Sequence, residues 1–146
     1  MRKIFMILSL VLTFFIVGGC SVGDSQTNSE NNTDEIVKMV ISNYLDSLSK
    51  KDIEGLKKYS TVEWGKGFDQ DIITELNKIL QSAKLLKYTI RDNEADKIIA
   101  DTEVEIICYE GSIPSGDWQT GRSVSAKAFE LIKEDNEWKI NGWGAY

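Results

Sequence analysis

KLLKYTIRDNEADKIIADTEVEIICYE, residues 84–110, decides the fold class. Leu86, Tyr88 and Ile90 alternate with Lys87, Thr89 and Arg91. After the turn residues DNEAD, the apolar-leaning series Ile98, Ala100, Thr102, Val104, Ile106 and Cys108 alternates with Asp101, Glu103 and Glu105. A period of two over both halves means two strands of an antiparallel sheet, with one face buried and one face wet. Pairing across the turn sets Lys87 opposite Asp101, so the acids belong to a cross-paired, solvated face.

Upstream of this hairpin the period is 3.6. Ile36, Val37, Val40, Ile41, Tyr44, Leu45 and Leu48 form one apolar stripe, with Thr33 placed to cap the helix and Asp34 and Glu35 at its positive end. A second helix is predicted over Asp52 to Tyr59. STVEWGKGF interrupts the pattern with two glycines, and a third helix is predicted over Asp71 to Ser82, with Ile72, Ile73, Leu76, Ile79 and Leu80 inward. Downstream, a loop at 110–121 leads to a strand from Arg122 to Lys133. A two-residue turn at Asp135-Asn136 leads to a last strand in EWKINGWGAY. The expectation is an α+β domain: three N-terminal helices packed on one face of a curved four-stranded antiparallel sheet. Across the last turn, Lys133 falls opposite Trp138, Leu131 opposite Ile140 and Phe129 opposite Gly142. Trp138 and Ile140 are then core. Trp143 has the other parity, unless a bulge at Gly142 flips it.

The first 20 residues, MRKIFMILSLVLTFFIVGGC, have a cationic start, an apolar stretch short for a membrane span, and small residues before Cys20. Val17-Gly18-Gly19-Cys20 resembles the bacterial lipobox, which implies cleavage before Cys20 and lipidation of its thiol. The expected organisation is a signal peptide over 1–19, a lipidated Cys20 with a flexible tether over 20–33, and a single α+β domain over 34–146. Lipid chains contribute about 0.8 kcal/mol per buried CH₂, which places the protein at the cell membrane, anchored on the extracytoplasmic side. Without residues 1–19 the chain carries 15 basic against 23 acidic residues, a formal charge of −8, which disfavours nucleic acid as a partner. The chain contains no histidine, so histidine-based nucleophilic systems and histidine metal sites are excluded. Cys108, left without a partner once Cys20 is lipidated, reads as a small buried hydrophobe.

YLDSLSKKDIEGLKKYS (residues 44–60) and FELIKEDNEWKINGW (residues 129–143) resemble the nuclear transport factor 2-like superfamily. The first is a long helix ending in a Lys-Lys-Asp step before a short one; the second is a final hairpin with a charged turn and a Trp-Lys-Ile strand. The resemblance covers the order of elements over 34–146. It implies a cone-shaped α+β fold with a pocket between sheet and helices, and often a homodimer through the outer sheet face. Enzymes of this superfamily use a pocket carboxylate and often a tyrosine, but no catalytic motif of this chain aligns with theirs.

The candidate ligand-binding residues are Tyr88, inward-facing on the first strand, and Trp64 and Phe68, in the interhelical segment at the mouth of the cone. Trp64 and Phe68 either grip an apolar ligand or fold back as a plug. Trp118, in the long loop, and Trp143 are candidate partner-contact residues. Asp92, Glu94, Asp96 and Glu103 imitate the spacing of a calcium loop, yet Lys97 stands where that loop needs glycine. GSIPSG at 111–116 lacks the lysine and helix of a phosphate loop. No catalytic residue, metal or cofactor is expected. The first reading is a lipid-anchored domain that binds a small apolar ligand or a protein without catalysis. One rival is a small lyase, isomerase or hydrolase using Tyr88 with a pocket carboxylate. The other is a structural module that dimerises through the sheet face.

Overall fold

A computed structural model describes residues 26–114 and 116–145 of the chain; the expected signal peptide, Cys20 and the first part of the expected tether lie outside them. Helix α1 (Gln26–Lys50) lies across the inner face of a sheet and supplies the stripe read above. Val37, Val40, Ile41, Tyr44, Leu45 and Leu48 are all buried. The helix begins before Thr33, so Thr33 lies inside it, and residues 26–33 of the expected tether are helical. Lys51 takes a left-handed conformation (φ 56°) and turns the chain into α2 (Ile53–Tyr59). Gly55 permits the close approach of the two helices: a Cβ there would lie 2.4 Å from Ser47 Oγ.

The interrupted segment contains a further short helix, α3 (Val62–Gly65), so the domain has four helices instead of three. Thr61 caps it by accepting a hydrogen bond from the Trp64 backbone N–H at 3.2 Å, a device hidden by the glycines that follow. Helix α4 (Gln70–Ile79) is capped by Asp69, whose carboxylate accepts from Ile72 N–H at 3.0 Å. It stops three residues earlier than the apolar spacing predicts, because Leu80 already pairs with Cys108 as the first residue of the sheet.

The sheet is an antiparallel meander of β1 (Leu80–Asn93), β2 (Lys97–Cys108), β3 (Gly121–Glu134) and β4 (Glu137–Gly144), in chain order. The inner series of β2, Ile98 to Cys108, is buried throughout, as its alternation predicts. Free Cys108 is buried with it. Phe129 and Leu131 of β3 and Ile140 of β4 complete the core beneath α1. Each fully buried Leu, Ile or Phe contributes roughly 1.5–3 kcal/mol through apolar area removed from water.

Irregularities bend the sheet and change three sequence expectations. β1 carries register shifts between Leu85 and Lys87 and between Ile90 and Asp92. The first turns Leu85 toward the core and leaves Leu86 46% exposed, so Leu86 is not a core residue. Together with the turn at 94–96, the shifts set Lys87 across from Glu103, 3.9 Å away, and Thr89 across from Asp101. The outer face stays cross-paired all the same, with Arg91–Asp101 at 3.2 Å, Lys97–Glu130 at 3.1 Å and Arg122 on Glu105.

The β3–β4 hairpin turns on Asp135 and Asn136, both with positive φ (51° and 67°), as a two-residue turn matching strand twist demands. Lys133 then faces Trp138 and Leu131 faces Ile140 as predicted. Beyond Ile140 the ladder slips, and Asn141 becomes an extra residue: Glu130 faces Gly142, and Phe129 faces Trp143 instead of Gly142. Asn141 Nδ2 donates to Glu130 Oε1 at 2.8 Å, and its Oδ1 accepts from Thr61 Oγ1 at 3.1 Å. The neighbouring Thr61 N–H donates to Ile140 O at 2.8 Å and covers the outer edge of β4.

Asn141→Ala removes both side-chain bonds of the bulge and is expected to lower unfolding free energy by about 1–3 kcal/mol in urea denaturation. Glu130 is held below its ordinary 4.5, first by the Asn141 amide and then by Lys97. A depressed carboxylate contributes stability above its unfolded value and loses it as pH falls through the folded one. Glu130→Gln should therefore destabilise the protein at neutral pH, and the gap from the parent should close in acid well below 4.5. Equal gaps at both pH values would show that the charge of Glu130 plays no part.

Candidate functional site

The mouth of the cone is filled by rings, and the ring at its centre belongs to α1. Tyr44 is 1% exposed. It meets Phe68, Phe129 and Trp143 edge-on, with centroids 6.1, 6.2 and 6.3 Å away. Its hydroxyl accepts a hydrogen bond from Trp64 Nε1 at 3.3 Å. Burial pushes the Tyr44 phenol up to about 12, against the opposing effect of the Trp64 donor, so it stays protonated at neutral pH. Trp64 and Phe68 therefore come together as the sequence suggests, 6.4 Å apart, and they fold back over Tyr44 at the mouth.

Trp143 points inward. The Asn141 bulge restores its parity to that of Phe129, on which it stacks at 5.1 Å with an interplanar angle of 21°. Trp118, from the β2–β3 loop, leans on Trp143 at 6.4 Å and packs against the core. The two tryptophans expected to face a partner thus face each other, half-buried, because one register slip turns the first and the loop folds back with the second.

One residue of this site was not singled out by sequence. Lys127 has the inward parity of Phe129 and Leu131, and its side chain is only 5% exposed. Its ammonium lies 5.5 Å from the centre of the Trp143 ring, a cation–π distance, and donates to Asp117 Oδ2 from the loop. Its backbone carbonyl accepts from the buried hydroxyl of Thr102 on β2 at 3.0 Å, which fixes its place in the ladder. Counting back two residues from Phe129 is the signal that would have found it. The arrangement offers a positive donor beside an aromatic wall, closed by loop residues.

Tyr88 stands apart from this cluster. It faces inward opposite Thr102, beside Asp34 in the first half of α1. Its hydroxyl donates to Asp34 Oδ2 at 2.5 Å, on the exposed rim of the cone. Burial, followed by the Asp34 carboxylate, raises the Tyr88 phenol to about 12. The pair is a clasp between α1 and β1, and a phenol held protonated in this way is a poor base. Outside the cone, a groove of about 430 Å³ runs between α1, the end of α2 and the β3–β4 turn. Ile36, Met39, Tyr59 and Trp138 form its floor, with Lys58 and Lys139 at its edge. Trp138 is thus half-buried at the margin, while Ile140 is fully buried. Among the described residues no group of three or more acidic or cysteine side chains is placed to hold a metal ion, and no helix is long and apolar enough to cross a membrane.

No protein-family model and no curated protein sequence matches the chain. Solved structures do. A nuclear transport factor 2-like superfamily protein from Salmonella enterica serovar Typhimurium superposes with a TM-score of 0.60 at 14% identity, covering 80% of this chain and 94% of its own. A hexachlorocyclohexane dehydrochlorinase, LinA type 2, gives 0.55 at 14% identity over 81% of this chain and 86% of its own. Bd1075 of Bdellovibrio bacteriovorus gives 0.56 at 14% identity, over 84% of this chain but 45% of its own. At these identities the likeness is one of architecture, and it agrees with the element order, the meander and the helix-filled inner face: the chain has the nuclear transport factor 2-like fold.

Proposed function

We propose that this protein is a membrane-tethered, extracytoplasmic binding domain that takes a small ligand at the mouth of its cone and does no chemistry on it. The reading joins a lipobox-like Val17-Gly18-Gly19-Cys20 to a fold whose mouth is closed by side chains from connecting segments. The observation that carries it is the position of Lys127, a cation held on the inner face against Trp143. Trp64, Phe68 and Trp118, which cover this end, come from α3, the segment after it and the β2–β3 loop, so a ligand displaces loops and leaves the strands in place. A polar anchor among aromatic walls is the usual composition of a small-molecule site.

The rival enzymatic reading draws on the fold shared with LinA, a dehydrochlorinase. It would need a free proton acceptor at the cone interior, and the Asp117 carboxylate that reaches there is paired with the Lys127 ammonium. The tyrosine there is held protonated, and the Tyr88–Asp34 pair lies on the exposed rim. Binding without turnover suits these groups better.

Two measurements test the two halves of the proposal. When the chain is expressed in bacteria fed labelled palmitate, the parent should be cleaved, labelled and recovered with membranes, and Cys20→Ala should be neither cleaved nor labelled. A Cys20→Ala protein processed and labelled like the parent would end the lipoprotein assignment. For binding, at least one single-ring aromatic compound from a neutral and anionic panel should quench tryptophan emission of the detergent-solubilised full chain saturably. A panel without any saturable change would remove the ligand-binding reading.

A further inference from the structure

Lys127 is the only charged residue among the buried ones described. Stability does not account for it. Taking the Lys127 ammonium out of water costs several kcal/mol, which a partner that is itself largely in water repays poorly, and a well-packed apolar residue of similar volume does as well or better. The counter-ion is also oddly chosen. Asp117 does not come from the framework of strands and α1; it sits on the β2–β3 loop and is 43% exposed. One partner is therefore fixed in a strand and the other is carried on an arm.

The arm is tied to the framework at its root, where Tyr109 N–H donates to Ile79 O at 2.9 Å. Beyond that root, the other hydrogen bonds of its described residues are internal: Ser112 N–H and Oγ–H both donate to Tyr109 O, at 3.1 and 2.7 Å, and Thr120 Oγ–H donates to Ser112 O at 3.2 Å. Gly111, Gly116 and Gly121 all have positive φ (78°, 71° and 77°). At Gly111 and Gly116 the space where a side chain would project is open. Backbone torsion at such positions changes without a side chain to clear.

Asp117 and Trp118 are consecutive, and they engage Lys127 and Trp143 respectively. Together they present a carboxylate and an aromatic ring to a cation and an aromatic ring. We propose that Lys127 and Trp143 form a binding site for a small aromatic monocarboxylate, occupied in the closed state by Asp117 and Trp118 as an internal stand-in. The ligand carboxylate replaces that of Asp117 on the Lys127 ammonium, its ring replaces the Trp118 indole on Trp143, and the loop lifts away. A single ammonium selects a monoanion, since a dianion buried here would keep one charge unbalanced. This assignment names the ligand class for the site proposed above and rests on that reading.

Isothermal titration of the full chain in detergent with phenylacetate, and with its neutral isostere phenylacetamide, tests it. Phenylacetate should bind at least about tenfold more tightly than phenylacetamide, as expected for a charge-assisted contact. Asp117→Asn removes the competing carboxylate and should tighten phenylacetate binding about tenfold, by raising the fraction of open sites. Lys127→Met should abolish the preference for the anion. If Lys127→Met does not fold, the Asp117→Asn comparison decides alone, because Asp117 is a loop residue. Unchanged or weaker phenylacetate binding by Asp117→Asn would overturn the stand-in. Equal binding of the two compounds would overturn the carboxylate class and leave the small-ligand reading standing. Binding of neither compound, to parent or to Asp117→Asn, would overturn the inference, and the broader reading falls with it only if the aromatic panel also fails.

Discussion

The inner surface of this domain depends on one extra residue in its last strand. In a regular antiparallel pairing, residues 140 and 142 share a face and 143 takes the other, so Trp143 would stand in water on the charged side of the sheet. Asn141 breaks that count. Its amide spans Glu130 on β3 and Thr61 on the segment between α2 and α3, so the slip is tied from both sides. Trp143 then lands opposite Phe129 and under Tyr44. Without the slip, Phe129 would lose its stacked neighbour, Lys127 its ring and Trp118 its seat. The same contacts join the α2–α3 connection to the sheet edge, so the bulge also positions Trp64, whose indole caps the Tyr44 hydroxyl.

Two kinds of packing follow. Beneath the middle of α1, the aliphatic layer of Ile41, Leu45, Val104, Ile106 and Leu131 is carried by strands and a long helix, and opening it means unfolding the domain. At the mouth, the covering rings belong to a four-residue helix and to loops. Local stability is lowest where few framework hydrogen bonds hold a segment, and binding elements are drawn from that end of the range. The buried ammonium fits this division under the binding proposed above: it sets a specific charge at a place covered by loops instead of strands.

Much of this was legible in the sequence, and the reasons are local. The Ile98 to Cys108 alternation has no bulge, so counting by two yields every buried residue of β2. The α1 stripe is similarly regular, and Asp135-Asn136 is a turn that its own side chains favour. What could not be read is what depends on register slips. The alternation in KLLKYTIR points Leu86 inward, because the shift after Leu85 leaves no mark in the sequence. The spacing leaves two parities for Trp143, and the choice is made at Asn141 by Thr61, 80 residues before it. Lys127 was within reach of the same count that found Phe129 and Leu131, but a lysine in a strand is usually solvated. Only the loop that covers it explains its burial.

The placement of the mouth relative to the chain's entry bears on how a tethered domain would work. α1 leads in past the β3–β4 turn, since Ile36 and Met39 line the same groove as Asn136 and Trp138. The Asp117 loop joins β3 at its other end, before Gly121, and β3 runs 14 residues between the two. At about 3.3 Å per residue, that strand separates the ends by roughly 45 Å. Under the tethering proposed above, the end of the domain nearest the anchor is therefore the groove, and the loop that closes Lys127 lies toward the far end. Tyr88 and Asp34 clasp α1 to β1 near the entry, which keeps the helix from peeling off the sheet where a tether would pull on it. Lys127 itself stands midway along β3, so the loop reaches back along the strand to close it, and Tyr44 joins the closed site to the helix on which a tether would pull.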